Sequence, residues 1–428
     1  MKSTALSFDA LRKAVESMPD DSLAESRRAA FEHLREHGLP TTRNEDWKYT
    51  DLSHVIDISN RWLERDVDHA PSTESGSRAE AICNSIDADW LVITNGVIDD
   101  RSIAAIDQTG ISIARLSESD SKVEFGAPLS DLNAALLHDG LRIHVNANAA
   151  LTRPVGILVI DDATVAPRMT QVRIEIELAS KSTASFVEYH ASSGSVDHYA
   201  NSVSTLRLGD NSRADYVRIQ ERDRNHNQTS RLNVDVGRDS EFKHCAFDLG
   251  GKLIRNDLVV DIAQPGAQAV INGLYLAGGQ RHIDNHTRAD HRVGPATSRQ
   301  EYRGIVTGQA RCIWNGKAIV HAGADGTDAE QANHNLLLSD KAEIDAKPEL
   351  EIYADDVKCS HGTTIGQLDE TALFYLRTRG LSKHEAEQVL TRAFAQSIVS
   401  KSPIDSIHDI LAEKIANRLS DLLQGVDA

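Results

Sequence analysis

The stretch DKAEIDAKPELEIYADDVKCSHGTTIG, Asp340 to Gly366, shows the clearest strand rhythm in the chain. Apolar and polar residues alternate on both sides of the polar corner at 354–356, which is typical of a strand, a turn and a second strand. Cys359 and His361 share one parity of the second strand, so their side chains point to the same face, roughly 6 to 7 Å apart. The stretch therefore predicts two strands around one corner and places a thiol beside an imidazole.

Two interpretations of the Cys359 and His361 pair follow from the residues. Thiolate and imidazole are both ligands of soft metals, and this is the only plausible soft-metal pair in the sequence. However, free cysteine is among the most buried residue types, and an isolated histidine is more often structural than a ligand. Lys358 does not decide between them, because parity sends its ammonium to the opposite face and a cation activates a thiol only when it lies near the sulfur.

The corner motif of this stretch recurs loosely from about residue 155 onward. Each repeat has an apolar residue, a small residue, a polar corner and a new alternating run, and the small residues are Ala179, Gly209, Gly237, Ala263, Gly294, Thr307, Ser339 and Ala354. Along the first five, the residue number rises by 30, 28, 26 and 31, which is too long for a hairpin meander and suits one solenoid coil per period. The smaller steps, 13 from Gly294 to Thr307 and 15 from Ser339 to Ala354, indicate two strands and two corners per coil. The repeat predicts a parallel β-helix flattened into two facing sheets, and a β-sandwich is the less favoured alternative.

The repeat also predicts which side chains face the core. Five positions after the small residue, where Cys359 stands, other repeats have Ala184, Ala214, Phe242, Cys312 and Ile344. Seven positions after it, where His361 stands, they have Phe186, Tyr216, His244, Val270 and Trp314. We therefore expect these positions to face the core, although Gln268 interrupts the series and leaves the alignment of its coil open. The Cys359 coil differs because it is the last, at an end where edge strands offer unpaired backbone to a partner.

The segments on both sides of the repeat include helical patterns. The preceding segments are a helical pattern at 8–38, a polar segment at 41–53, a Ser-, Glu- and Asp-rich loop at 66–80, a hairpin at 90–98 and a short helix at 129–137. After the repeat, a capping box at Ser382 and Glu385 begins a helix that Pro403 ends, and one more helix follows. We expect these C-terminal helices to cover the chain's own core rather than a partner. The predicted parts are an N-terminal helical region and linker (1–80), a mixed α/β lead-in (81–154), a parallel β-helix core (155–366) and a C-terminal helical domain (367–428).

Composition disfavours several classes of protein. The chain has 428 residues and a formal net charge of −18, so bare nucleic acid and anionic membrane are unfavourable partners. Its four cysteines are far apart and form no CxxC pair, which argues against a disulfide framework or a self-contained zinc site. The first residues lack the apolar core of a signal peptide, and no apolar run approaches the length of a membrane span. We expect a soluble cytoplasmic protein.

Motifs of common enzymes are absent from the sequence. There is no GxxxxGK[ST] phosphate loop, GxGxxG, GxSxG, HExxH or EF-hand loop, so we expect no ATP hydrolysis or dinucleotide binding by these devices. The densest histidine cluster, QRHIDNHTRADH, places His282, Asp284 and His286 on one strand face. Because the segment is as hydrophilic as an exposed corner, a metal site at 282–291 is the less favoured interpretation.

Three segments carry a resemblance to a known family. They are RNEDWKYTDLS at 43–53, HIDNHTRADHRVGPATSRQEYRGIVTG at 282–308 and TDAEQANHNLLLSDKAEIDAKPELEIYADDVKCSHGTTIGQLDETALFYLRTRGLS at 327–382. Together they resemble the SufB/SufD family of iron-sulfur cluster assembly scaffolds, and the N-terminal segment and the modest length resemble SufD more than the longer SufB. The last motif is long and highly specific. The resemblance spans most of the chain and is weakest at 60–150.

The resemblance implies a right-handed parallel β-helix between helical ends, in a non-catalytic scaffold. It implies pairing with a SufB-like subunit through the last coils and docking of a SufC-like ABC ATPase on the C-terminal helices. The interface histidine of the family corresponds to His361 and its neighbouring cysteine to Cys359, which implies that they help to hold a nascent iron-sulfur cluster. One histidine and one cysteine do not complete a cluster site, so the partner must supply further ligands. A reduced flavin has been associated with such complexes, but the sequence shows no flavin signature.

Two alternatives stay open from the sequence. One is a SufB-like scaffold, or one that forms a homodimer when isolated. The other is a carbohydrate-active enzyme on a β-helix, such as a polysaccharide lyase, which would require an exposed acidic or basic constellation on one sheet and usually a secretion signal.

Overall fold

Strands dominate the centre of the chain and helices lie towards both ends. A computed structural model describes residues 5–65, 71–119 and 123–424. The strands are β1 (Asp89–Thr94), β2 (Val97–Ile98), β3 (Ile111–Arg115), β4 (Leu141–Val145), β5 (Val155–Asp162), β6 (Arg168–Leu178), β7 (Thr183–Ser193), β8 (His198–Leu208), β9 (Arg213–Glu221), β10 (His226–Val236), β11 (Glu241–Asp248), β12 (Leu253–Ile262), β13 (Gln268–Ala277), β14 (His282–His291), β15 (Thr297–Val306), β16 (Arg311–Val320), β17 (Asp328–Leu337), β18 (Glu343–Ile352) and β19 (Lys358–Gly366). The helices are α1 (Phe8–Glu16), α2 (Ala24–His37), α3 (Ser53–Leu63), α4 (Thr73–Ser85), α5 (Asp100–Ala104), α6 (Pro128–Ala135), α7 (Glu370–Thr378), α8 (Lys383–Val399) and α9 (His408–Gln424).

The strands from β5 to β19 form a parallel β-solenoid. Successive strands alternate between two sheets, so each coil contributes one strand to each sheet. The ten-stranded sheet has the order β19-β17-β15-β13-β11-β9-β7-β5-β1-β2, and the nine-stranded sheet has the order β18-β16-β14-β12-β10-β8-β6-β4-β3. Ladder pairing is parallel from β1–β5 and β4–β6 down to β17–β19 and β16–β18. The predicted mainly β fold, a parallel β-helix with helices at both ends, is confirmed.

Stacked apolar rows hold the coils together. Leu178, Leu208, Val236 and Ile262 are direct ladder partners, one per coil, and all are buried. Coils stack at the spacing of strands in a sheet, about 4.8 Å, so like side chains meet like from coil to coil. The same spacing explains the small residue of the repeat. A Cβ atom on Gly237 would come within 2.5 Å of the carbonyl oxygen of Leu208, because the corners of successive coils lie directly on one another.

The inward-facing rows agree with the predicted core positions except in one coil. Cys359 belongs to a row with Ala329, Ser298, Ala269, Phe242, Ala214 and Ala184, and His361 to a row with Gln331, Gln300, Ile271, His244, Tyr216 and Phe186. The predicted positions Gln268 and Val270 lie one residue before the true ones, because the corner after Ala263 is one residue longer. Cys312 and Trp314 are fully buried, as expected, but face the core from the other sheet.

The N-terminal region differs from the prediction in two elements. The helical pattern at 8–38 forms two helices, α1 and α2, separated by a turn that contains Pro19. The loop predicted at 66–80 is wrong where it can be judged, because α4 begins at Thr73; residues 66–70 lie outside the described part of the chain. Ser72 caps α4, and its backbone N–H donates to Asp162 at 2.5 Å, so a contact with the solenoid stabilises a helix in a segment of low helical propensity.

The two ends of the solenoid are built differently. At the first coil, the antiparallel pairs β1–β2 and β3–β4 end the two sheets, and Asn95 and Gly96 make the predicted hairpin turn with φ of 54° and 79°. At the last coil, β18 and β19 each have a neighbour on one side only among the described strands. No helix among the described residues is both long enough and apolar enough to cross a bilayer.

Candidate functional site

Cys359 and His361 lie on the inner side of β19, in the last coil. Their ladder neighbours on β17 are Ala329 and Gln331, so the register places both side chains in inward-facing rows, as the sequence predicted. Yet His361 is exposed and Cys359 is partly exposed, whereas Phe242 and His244 of the same rows are buried. The difference arises because no further coil among the described strands covers the last one. Residues that would be core in any earlier coil are here accessible from the open end.

The electrostatics of the pair favour a neutral thiol. Burial raises the pKa of Cys359, and the neighbouring backbone of Ala329 only partly opposes this. A metal that binds at the sulfur must therefore displace a proton. Lys358 does not change this, because it lies on the other face of the strand.

Gln331 completes the inner surface beside His361, and sequence analysis missed it. This side chain is 2% exposed, and neither its amide oxygen nor its amide nitrogen has a hydrogen-bond partner among the described residues. A buried amide without partners is costly, and a neighbouring imidazole or a ligand is the kind of group that satisfies it. The available signal was the position of Gln331 one period of the repeat before His361, which makes the two residues ladder partners.

The donor set of the last coil is incomplete for a metal. Within residues 5–65, 71–119 and 123–424, no group of three or more His, Cys, Asp or Glu side chains is arranged to hold a metal ion. Cys83, Cys245 and Cys312 are free thiols, and burial raises the pKa of each, that of Cys83 to about 11. These three cysteines lie on α4, β11 and β16, outside the strand β19 that contains Cys359.

The histidine cluster at 282–291 has a structural role. The prediction that this segment is exposed is wrong. The segment is strand β14 and is largely buried, not an exposed corner. Asp284 accepts hydrogen bonds from Thr50 Oγ1 at 2.5 Å and from Arg255 at 2.6 Å. Burial alone would raise the pKa of Asp284, but the Arg255 guanidinium holds it well below its usual value. The cluster therefore anchors the segment at 41–53 to the outer face of the nine-stranded sheet.

The C-terminal helices cover the outer face of the ten-stranded sheet, as expected. Leu411, Ile415, Leu419 and Leu422 of α9 and Ile398 and Val399 of α8 are buried in one cluster with strand residues such as Val187, Ile219, Phe247 and Leu274. The capping box at Ser382 and Glu385 is present. Helix α7 differs, because Phe374 and Tyr375 are 68% and 57% exposed. The stripes of α8 and α9 belong to the chain's own core, while α7 presents two aromatic rings to solvent.

Comparison with known proteins decides the family. A family model described as "SUF system FeS cluster assembly, SufBD core domain" matches residues 159–394. The chain belongs to this SufBD family. A second model, "SufBD protein N-terminal region", matches residues 3–74. The solenoid and the anchored N-terminal segment thus both lie in regions that the family shares.

Two individual SufBD proteins match almost end to end, and a third matches over about two thirds of its length. An "Iron-sulfur cluster assembly SufBD family protein" of Synechocystis is 28% identical, over 94% of this chain and 93% of its own length. "Iron-sulfur cluster assembly protein SufD" of Escherichia coli is 26% identical over 91% of this chain and 92% of its own length. SufD of Bacillus subtilis is 26% identical over 68% of this chain and 67% of its own. The chain is a homologue of SufD in a family of iron-sulfur cluster assembly scaffolds. Membership of this family disfavours the alternative of a carbohydrate-active enzyme on a β-helix.

Proposed function

We propose that this chain is a SufD-like, non-catalytic scaffold subunit of a cytoplasmic SUF complex. Its last coil pairs with a SufB-like subunit, and its C-terminal helices bind a SufC-like ABC ATPase. His361 and Cys359 contact the nascent iron-sulfur cluster, which is the cargo of the complex, and the partner supplies the remaining ligands. The reduced flavin that the family resemblance implies for the complex is assigned to no residue of this chain.

The observation that carries this proposal is the exposure of an inward-facing histidine at an open solenoid end. In the described part of the chain His361 belongs to no group of side chains arranged to hold a metal ion. Its imidazole is therefore well suited to bind a cluster that is shared with another chain. Thiolates hold most cluster iron and imidazole is a known minority ligand, which suits His361 as a single ligand opposite a partner's sulfur. Gln331 is the ladder neighbour of His361 and its buried amide has no partner among the described residues, so we expect it to bind and orient the ring once a partner covers the last coil.

The backbone edge of β19 favours pairing with a second chain. The N–H of Lys358 donates to the carbonyl oxygen of Thr327, just before β17. The backbone N–H groups of even-numbered residues along β19 therefore point towards β17, and those of odd-numbered residues, including Thr363, point towards the free edge. The neighbouring edge of β18 contains Pro348, which has no N–H to donate. A partner strand therefore finds the better set of donors on β19.

Replacing Thr363 with proline should weaken pairing with the SufB-like subunit roughly tenfold or more, because it removes a donor at the free edge and adds a ring that a partner strand must avoid. Thr363→Ala is the matched control, since it removes the same side chain and keeps the N–H. Co-purification and sedimentation measure the pairing, and they also distinguish a homodimer. Normal pairing of a folded Thr363→Pro protein would place the interface elsewhere.

The ATPase contact is assigned to α7 and the neighbouring surface of α8. Phe374 and Tyr375 on α7 and Val389 on α8 are large exposed apolar side chains, and the buried stripes of α8 and α9 are already used by the solenoid. Exposed aromatic residues are enriched at binding sites. The missing phosphate loop fits a scaffold that relies on another chain for ATP hydrolysis.

A Phe374→Asp substitution should reduce ATPase binding at least about tenfold, because a charge would be buried against the partner. Stability should change by less than about 0.5 kcal/mol, since the ring is exposed. Val165→Asp is the control, because Val165 is also an exposed apolar residue (69%) but lies at the corner between β5 and β6. Surface plasmon resonance with the purified ATPase measures both. Equal binding by the two variants would remove α7 from the contact.

A further inference from the structure

A cavity of about 190 Å³ lies on the outer face of the nine-stranded sheet, away from the last coil and the C-terminal helices. Its roof is the N-terminal segment at Pro40, Asp46 and Trp47, and one wall is the start of α6 at Pro128 and Leu129. Its floor consists of outward-facing side chains of the strands from β8 to β16. We call this space the N-terminal cavity.

The floor of the N-terminal cavity is rich in cations, although the chain as a whole carries a net charge of −18. Three of these cations are neutralised by carboxylates, one of which, Asp257, itself lines the cavity. Arg255 contacts Asp257 at 2.8 Å and Asp284 at 2.6 Å, Arg288 contacts Asp290 at 2.6 Å, and Lys317 contacts Glu351.

Arg231 is the exception on this floor. Its Nε donates to the amide oxygen of Asn233 at 2.9 Å, and among the described residues it forms no ion pair. Asp257, its ladder neighbour, is held by Arg255, and Asp46 is exposed and accepts a hydrogen bond from Arg255 at its carbonyl oxygen. A half-buried guanidinium without a counter-ion is a favourable place for an anion.

The wall at α6 adds to the positive potential. The helix begins with Pro128, which has no N–H, and its N-cap residue, Ala127, provides no side-chain cap. The N–H groups of Leu129 and Ser130 are therefore the ones left to face a ligand, since that of Asp131 donates to the carbonyl oxygen of Ala127. Asp131 in the same turn is already engaged, by the N–H of Gly126 at 2.6 Å and by His33 at 2.8 Å.

Part of the remaining surface of the N-terminal cavity is apolar, next to polar side chains such as Asn201, Thr229 and Asn315. The Trp47 indole lies with the Arg255 guanidinium 4.3 Å from its ring centre, and Pro40, Pro128 and Leu129 complete the apolar walls. A ligand that fits must therefore combine one charged group with an apolar body.

We propose that the N-terminal cavity binds a small organic anion, with a carboxylate or phosphate group at Arg231 and the α6 N-terminus and an apolar body against Trp47. This goes beyond the proposed assembly function. The ligand would also hold the N-terminal segment in place, and Glu45 of that segment contacts Lys347 on β18 at 2.9 Å. Occupancy of the cavity is thereby connected to the last coil.

The test uses 2-naphthoate as the probe, with 2-naphthalenemethanol as its uncharged counterpart and inorganic phosphate as the anion without an apolar body. We expect 2-naphthoate to bind in a 1:1 ratio by calorimetry, to change the fluorescence of Trp47, and to bind roughly tenfold more tightly than either comparison compound. Trypsin cleavage after the exposed Arg43 and Lys48 should slow when it is bound. Absence of 1:1 binding, or equal binding of the uncharged compound, would overturn the proposal.

Variants locate the anion. Arg231→Gln should weaken 2-naphthoate binding roughly tenfold, and Arg231→Lys should restore part of the affinity because it keeps the charge. Arg207→Gln is the matched control, since Arg207 also lies on the outer face of the sheet but is paired with Glu124 and lies outside the cavity lining. Loss of binding in Trp47→Leu with circular dichroism unchanged would confirm the position. Unchanged affinity of Arg231→Gln would show that the cavity does not select an anion.

Discussion

Replacing His361 with alanine should reduce the cluster formed on the complete complex by more than about tenfold, while the melting temperature of the chain stays nearly unchanged. The reason for the first effect is the loss of a ligand at the subunit junction, where even partners of ligands contribute about 10- to 100-fold. The reason for the second is exposure. His361 is exposed, and substitutions of exposed residues usually change stability by less than about 0.5 kcal/mol.

The control for this experiment is His244→Ala, in the same inward row. His244 is 4% exposed and its ring lies 6.0 Å from those of Tyr216 and Phe242. Its truncation should cost about 1 to 3 kcal/mol of stability without a specific assembly defect. The two histidines occupy equivalent positions, so the comparison isolates what the open end adds.

Cys359→Ser should have a smaller effect than His361→Ala if the partner's thiolate is the main sulfur ligand. The raised pKa of the Cys359 thiol supports this order, because its proton must be displaced before it binds. Cluster formation is measured by visible absorption and by iron and sulfide content of the purified complex. If a His361→Ala complex assembles clusters at the wild-type rate, His361 is not a ligand that assembly requires.

Acid should destabilise this protein before most of its carboxylates are protonated. Burial lowers the pKa of His226 to about 4, of His244 to about 3 and of His291 to about 4, from an ordinary value of 6.5. Between these values and 6.5 the unfolded chain binds protons that the folded chain does not, so stability is fully present above pH 6.5 and falls as the pH falls towards 4. Each histidine contributes about 1.4 kcal/mol per pH unit in that window. Three of them would remove about 6 kcal/mol by pH 5, a large share of the stability of most proteins.

The variant that tests this mechanism is His244→Phe, which keeps an aromatic ring between Tyr216 and Phe242 and removes the titrating group. Urea unfolding at pH 7.5 and pH 5 should show a decrease in stability that is about 2 kcal/mol smaller for the variant than for the wild type. A parallel pH dependence of the two proteins would mean that His244 is protonated in the fold or that it is reached by solvent.

Local patterns determined much of this structure. Alternation, small corner residues and a long, regular period were sufficient to predict parallel coils of two strands each, because a solenoid coil contacts its neighbours in sequence and little else. Parity alone placed Cys359 and His361 on one face. The capping box at Ser382 and Glu385 likewise predicted the start of α8, since capping depends on residues three apart.

Tertiary structure decided what depends on distant partners. The sequence of the Ser-rich segment did not predict α4, because the cap at Ser72 is stabilised by Asp162 of the solenoid. The histidine cluster at 282–291 looked exposed because the segment that covers it, with Thr50, lies 232 residues earlier. The accessibility of His361 depends on the absence of a further coil rather than on any residue near it. Burial of a strand is set by what lies against it, and neither periodicity nor composition records that neighbour.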